Sequence, residues 1–240
     1  MDASNSPAPR TPQPLASSSA PREINIPAKS ARVNHWPTAA QRWNLFGSPL
    51  RPAAEDVDFY VAEIRQWCRG RGVPRALLLG VTPELYGLPW PEGTDLLAVD
   101  RSQAMIDNVW PGPKERVRCA EWQASDLPTA SRDMALCDGG FHLLGHPGEQ
   151  AELVRILARV VAPGGLVLLR LYLPPATHEL PQQVLGDLLA GRISNLNVLK
   201  FRLCMALQND VVEGVMLADV WSAMHEIAPD LRELSHQLGW

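Results

Sequence analysis

Residues 75–100 read RALLLGVTPELYGLPWPEGTDLLAVD, and the fold follows from how this stretch is punctuated. Ala76 to Leu79 is a short apolar run that stops at Gly80, and turn chemistry follows at once in Val81-Thr82-Pro83-Glu84. A second apolar run, Leu96 to Val99, ends on a carboxylate, Asp100. Short apolar runs bounded by Gly and Pro read as buried strands. Strands buried on both faces belong to parallel sheets covered by helices. Asp100 stands 20 residues after the turn glycine. That is about the ~20-residue spacing at which a nucleotide-binding α/β unit offers a carboxylate to a ribose diol.

The same grammar continues on both sides. Upstream, Glu55 to Arg69 places Val57, Tyr60, Val61, Ile64, Trp67 and Cys68 at helical spacing, with Gly70, Gly72 and Pro74 as the stop. Downstream, Ser102 is placed to cap a helix carrying Ala104, Met105, Ile106 and Val109. Val117 to Trp122 reads as strand 3 and Asp133 to Cys137 as strand 4. A helix over Glu149 to Val161 ends at Pro163-Gly164-Gly165, and Leu166 to Leu173 reads as strand 5. Strands alternating with helices imply right-handed crossovers. From Glu179 the spacing is helical to the end.

The 240 residues suit one α/β domain with an appendage, and an apolar fraction of 46% supports a real core. The formal charge of −4 gives no electrostatic footprint for nucleic acid. No apolar run reaches membrane length, and MDASNSPAPRTPQPL lacks the apolar segment of a secretory signal. The four cysteines form no CxxC pair, so neither a metal site nor a disulfide framework is expected, which suits a reducing cytoplasm. Residues 1–30, rich in Pro, Ser and Ala, are expected to be a disordered tail. Residues 31–54, with Trp36, Trp43, Leu45 and Phe46, are too apolar for a free tail. They are expected to dock on the domain formed by 55–240, at its mouth or against its back.

Ligands of an open parallel sheet bind beyond the carboxyl ends of the strands, where strand order reverses. Those ends carry Gly80, Asp100, Trp122 and Asp138. Asp100 would accept two hydroxyl hydrogens, and Trp122 would stack on a base with Met105 opposite. Asp138 would face a ligand amine or the reacting partner. The helix after Gly80 would turn amide hydrogens toward the site. His142 is a candidate general base.

The order LLLG, LLAVDRSQAM, DMALCDGG and ARVVAPGGLVLLRL resembles the class I S-adenosylmethionine-dependent methyltransferases over about Glu55 to Leu173. Its most specific piece is RVVAPGGL, Arg159 to Leu166, followed by Asp100 to Met105. The resemblance implies a Rossmann-like doubly wound parallel sheet of order 3-2-1-4-5. It also implies S-adenosyl-L-methionine as cofactor and methyl transfer to an O, N or S atom of a small molecule. It would put Gly80, with Val81 and Thr82, against the methionine part. Asp100 would take the ribose, and Arg101, Met105, Glu121 and Trp122 would border the adenine. No catalytic residue is implied.

Two departures stand out. Leu78 holds the position where the family has an acid, and Thr82-Pro83-Glu84 replaces its glycine-rich tail. RELSHQLGW, Arg232 to Trp240, resembles the helix before strand 6, so strands 6 and 7 are expected to be missing and 174–240 to be a helical acceptor-side region. The strand-5 edge would then need cover from those helices or from a second copy, making a homodimer. These departures also admit a non-catalytic relative that binds cofactor or partner. A nicotinamide dehydrogenase is disfavoured, because Gly80-Val81-Thr82 fails the G-x-G-x-x-G pattern at its second glycine.

Deleting Met1 to Ser30 is expected to leave the melting temperature and cofactor affinity unchanged, because that segment has almost no large apolar groups to bury. Calorimetry on the truncated chain checks this; a clear loss in either would show that the segment docks.

Overall fold

The computed structural model describes residues 34–210 and 213–239. The chain divides into two units, 1–34 and 35–240, and every helix and strand of the described residues belongs to the second. The tail expected over 1–30 lies outside the described residues.

The unit opens with α1 (Trp36–Gln41) and α2 (Ala54–Cys68), then alternates strand and helix. The order is β1 (Arg75–Leu79), α3 (Pro83–Tyr86), β2 (Asp95–Asp100), α4 (Gln103–Asn108), β3 (Val117–Cys119), β4 (Arg132–Asp138), α5 (Gly148–Val160) and β5 (Val161–Arg170). All pairings are parallel, in the order β3-β2-β1-β4-β5. The continuous apolar runs of β1, β2 and β4 have the cause anticipated from sequence. Ala76, Leu78, Ala98, Met134 and Leu136 face a layer containing Tyr60, Ile64, Leu85, Met105, Ile106 and Trp110. Leu77, Leu79, Val99, Ala135 and Cys137 face Leu127, Leu153, Leu157 and Val160. Each strand is buried on both sides, so alternation would have exposed nothing useful to water.

Two strands differ from the sequence reading. β3 is three residues long rather than six, because Trp122 leaves the ladder and its indole Nε1–H donates to Val99 O at 2.8 Å. β5 starts at Val161 and ends at Arg170, not Leu166 to Leu173. The Pro163-Gly164-Gly165 break lies inside it as a shift of register against β4. Gly164 takes φ +73°, and a Cβ on Gly165 would stand 2.6 Å from Asp133 O and 2.8 Å from Ala162 O. Only a bare Cα lets the chain lie that close. Beyond Arg170 the chain turns away, carrying Tyr172 toward Pro49.

The C-terminal part is helical: α6 (Pro181–Leu189), α7 (Leu196–Leu207), α8 (Leu217–Ile227) and α9 (Leu231–Gln237). Val184, Leu188, Leu199, Leu203, Val220 and Met224 form a separate core among these helices. Asn195 caps α7, its Oδ1 accepting from the amides of Asn197 and Val198. Among the described residues no part of 174–239 joins the sheet. The helices pack on one another and do not sheathe β5. Within β5, Val167 remains 42% exposed. Cover of this edge by the C-terminal helices is therefore not what the fold provides. No helix of the described residues is long and apolar enough to cross a membrane.

The two kinds of glycine predict opposite responses. Gly165→Ala drives a Cβ into backbone oxygens and should cost about 1–3 kcal/mol, as overpacking does. Gly186, inside α6, has nothing within 4 Å of such a Cβ. Gly186→Ala should therefore add about 0.5–1 kcal/mol of stability. Urea midpoints at an unchanged slope would show both, and a neutral Gly165→Ala would contradict the packing described.

Candidate functional site

Strand order reverses between β1 and β4, whose neighbours lie on opposite sides. A cavity of about 700 Å³ opens over their carboxyl ends. All nine residues singled out from sequence line it: Gly80, Val81, Thr82, Asp100, Arg101, Met105, Glu121, Trp122 and Asp138. Its other walls come from the segment before α2 (His35, Trp36, Ala39, Trp43, Phe46, Leu50), from the end of β4 onward (Gly139, Gly140, His142, Leu143, Leu144), from Tyr172 and Pro174, and from α7 (Lys200, Phe201, Cys204, Met205, Gln208).

The β1 turn is built on one glycine. Gly80 has φ +99°, a region L side chains avoid. A Cβ there would sit 3.8 Å from both Asp100 Oδ2 and Trp122 Cζ2. Asp100 is held from two loops. Its Oδ1 accepts from Ser102 N at 2.8 Å and its Oδ2 from Val81 N at 3.2 Å. Burial pushes its carboxyl above the usual aspartate range, and the Ser102 and Val81 amides pull against that. α3 is a single turn, and Val81 N already serves Asp100. The anion-binding helix start expected after Gly80 is therefore not formed.

Trp122 is less free than the sequence suggested. Its N–H is committed to Val99 O. A Cβ on Gly140 would run into the indole, whose Cζ2 also stands opposite Gly80. The ring is bedded between two bare glycines and forms the floor. Arg101 and Glu121 face each other at the rim, 3.8 Å apart. Asp138 is not open to a ligand in the way expected, because its Oδ1 receives Arg170 Nε. Burial would lower the Arg170 guanidinium, but Asp138 outweighs it and holds the group above its ordinary value. His142 is not poised as a base at Nε2, since the backbone N–H of Tyr172 donates to that nitrogen at 3.0 Å. Buried Cys137 is inert; burial pushes its thiol up to about 12.

The strongest polar network here was not visible in the sequence. Pro49 O accepts from Tyr172 Oη at 2.6 Å and from Arg170 Nη2 at 3.0 Å. Ser48 O accepts from Asn195 Nδ2 at 2.9 Å, and Arg51 Nε donates to Glu84 Oε1 at 2.6 Å. The segment carrying Trp43, Phe46 and Leu50 is thus strapped across the mouth of the cavity, tied to β5, α3 and the N-cap of α7. The only advance signal was its excess of aromatic residues. Among the described residues no group of His, Cys, Asp and Glu is arranged to hold a metal ion.

Comparison with known proteins bears on residues 80–169, which match the family described as methyltransferase domain. No curated protein matches at a significant level. Among solved structures, a sugar N-methyltransferase of Streptoalloteichus is 23% identical at TM-score 0.40, covering 56% of this chain and 60% of its own. This chain therefore spans about three-fifths of that structure's length. An S-adenosylmethionine-dependent methyltransferase of Aquifex aeolicus is 19% identical at TM-score 0.36, covering 53% and 68%. One of Thiobacillus denitrificans, in complex with S-adenosyl-L-homocysteine, is 15% identical at TM-score 0.42, covering 87% and 93%. The match over 80–169 is to a methyltransferase domain, and the distant structures add no argument to it.

The buried pair makes a prediction that needs no ligand. The Asp138 side chain is 3% exposed and that of Arg170 12%. Asp138→Ala leaves the largely buried Arg170 guanidinium with only the more distant Asp56 carboxylate, at 3.8 Å, and should cost up to about 3–5 kcal/mol. Tyr172→Phe removes one hydrogen bond and should cost about 0.5–1.5 kcal/mol. Denaturant melts decide: equal losses would mean that the pair contributes no more than one neutral bond.

Proposed function

We propose that this chain, whose residues 80–169 match a methyltransferase domain, is a class I S-adenosylmethionine-dependent methyltransferase that transfers a methyl group to an O, N or S atom of a small molecule. S-adenosylmethionine is the methyl donor. The observation that carries the small-molecule reading is the size of the cavity, which lies between the strap and α7. Its volume of about 700 Å³ falls in the small-ligand range of ~300–1,000 Å³. Strap and α7 wall it where a macromolecular substrate would need access.

The residues present fit the donor. Asp100 is an ionisable acceptor fixed by two amides and facing the cavity, as a ribose diol requires. Gly80 leaves backbone bare beside it, where any side chain would fill the cradle. Val81 and Thr82 continue that wall, and Arg101, Met105, Glu121 and Trp122 border the same end. When bound, the donor supplies a methyl group already activated by its sulfonium. The protein's work is then alignment of a nucleophile, which can be worth several kcal/mol. Asp138 is committed to Arg170, and His142 Nε2 lies against the backbone N–H and C=O of Tyr172 at 3.0 and 3.2 Å. Neither is assigned a base's role. The bare β5 edge supports pairing of two copies. The four free cysteines support a reducing, cytoplasmic setting.

A non-catalytic relative is the alternative, favoured by the indole bedded over the Gly80–Gly140 floor. Calorimetry with S-adenosylhomocysteine, together with methyl release in cell extract, separates the two: binding without release favours the alternative. Asp100→Ala should weaken binding by about 1.5–3 kcal/mol, as expected for hydrogen bonds to a charged group. Because burial raises the Asp100 carboxyl, its acceptor character is lost as pH falls through a value above the ordinary ~3.9. Affinity in the intact chain should fall on acidification around that point, and the variant should lack this step. Unchanged affinity in a folded Asp100→Ala would remove the ribose assignment.

A further inference from the structure

We infer that the acceptor is a flat, aromatic or similarly apolar molecule carrying an anionic group, a carboxylate or phosphate, and that Lys200 receives that anion. This rests on the methyl-transfer reading above and names the substrate class of the same cavity.

The walls supply the first argument. On the β5 side, the rings of His142, Tyr172 and Phe201 follow one another at centroid distances of 4.9 and 4.8 Å, each pair inclined by 31°. Across the strap, Trp43 and Phe46 lie 5.7 Å apart. Aromatic faces on two walls favour a flat apolar guest.

The charges supply the second. Five ionised side chains line the cavity: Asp100, Arg101, Glu121, Asp138 and Lys200. Arg101 faces Glu121 and Asp138 holds Arg170. Asp100 takes two backbone amides. Among the described residues the Lys200 side chain has no ion pair or hydrogen bond, its backbone being part of α7. Trp43 Nε1, on the strap, is buried and also lacks an acceptor. Lys200 brings an unpaired positive charge and Trp43 Nε1 an unpaired buried donor to this side, so the complementary guest presents an anion.

Position supplies the third. Phe201, next to Lys200, meets Tyr172 just past β5. In the order β3-β2-β1-β4-β5 that end stands three strand spacings from Asp100 on β2, about 14 Å. The lysine therefore serves the end of the cavity opposite the nucleoside side. A lysine that merely stands in water would leave an acid and its neutral amide bound equally.

The full chain is saturated with S-adenosylhomocysteine, and indoleacetate, indoleacetamide and tryptamine are titrated by calorimetry. These probes share one ring system and differ in charge. Wild type should bind the acid about fivefold tighter than the amide, the upper end for a solvent-exposed pair. Lys200→Met should abolish that preference, and Lys200→Glu should turn it toward tryptamine. Lys200 is exposed, so both variants should keep the wild-type melting temperature. Equal binding of acid and amide by wild type, or an acid preference that survives in Lys200→Met, overturns the inference. So does a loss of S-adenosylhomocysteine affinity in Lys200→Met with methylthioadenosine unaffected, which would give the lysine to the cofactor's own carboxylate. Failure of wild type to bind S-adenosylhomocysteine would instead remove the methyl-transfer reading.

Discussion

The buried ion pair of Asp138 and Arg170 is the constraint on which the site's shape depends. Two charges out of water are tolerable only when their remaining hydrogen-bonding capacity is met. Arg170 meets it by reaching Pro49 O, and its Nη1 lies 3.8 Å from Asp56 on α2. One guanidinium thus joins the ends of β4 and β5, the strap and the first long helix. Tyr172 adds a second donor to the same carbonyl, and Asn195 takes the carbonyl one residue earlier. The cap of α7 is thereby fixed to the strap. The acceptor-side wall inherits its place from a salt bridge on the sheet.

The unusual turn after β1 finds its reason in the same strap. A glycine-rich tail would let a helix start close to a ligand; here a single glycine, Gly80, makes the sharp reversal, and Pro83 starts a one-turn helix. What Thr82-Pro83-Glu84 adds is a carboxylate. Glu84 receives Arg51, whose guanidinium also lies over the Trp43 ring at 5.6 Å. The departure from the family pattern exchanges some backbone approach for an anchor of the segment that closes the cavity.

This division also explains what the sequence could and could not tell. Gly80, Asp100 and Asp138 were legible because each ends a run whose burial on both faces leaves a continuous apolar signature. The strand order followed from alternation with helices and from the family resemblance. Val117 to Trp122 reads longer than β3 is, because it carries no mark of the indole leaving the ladder for Val99 O. The bounds of β5 are hidden because Pro163-Gly164-Gly165 is a stop signal locally, whereas the backbone of Asp133 makes it a register shift. The strap's latch was out of reach. Its bonds join residues 121 and 123 positions apart, and no periodicity encodes such a contact.

The pairing of the two arginines near the cavity floor has a consistent sense once the sulfonium of the proposed donor is considered; the unpaired Lys200 stands apart, at the opposite end of the cavity from Asp100. A cation is destabilised beside uncompensated positive charge in a partly desolvated site, since Coulomb interactions strengthen as the effective dielectric falls. Arg170 lies at the β4–β5 end of the floor and Arg101 at the rim, and each is matched by a carboxylate, Asp138 and Glu121. Asp100, by contrast, is hydrogen-bonded only by neutral amides, with Arg101 acting on it from a distance, and its burial makes ionisation costly. A ligand that donates hydroxyl hydrogens and brings a positive charge offsets that cost. The same ligand would be opposed if either arginine lost its partner. Removing Asp138 therefore acts twice, first on the strap it stabilises through Arg170 and then on the sign of the potential over the floor.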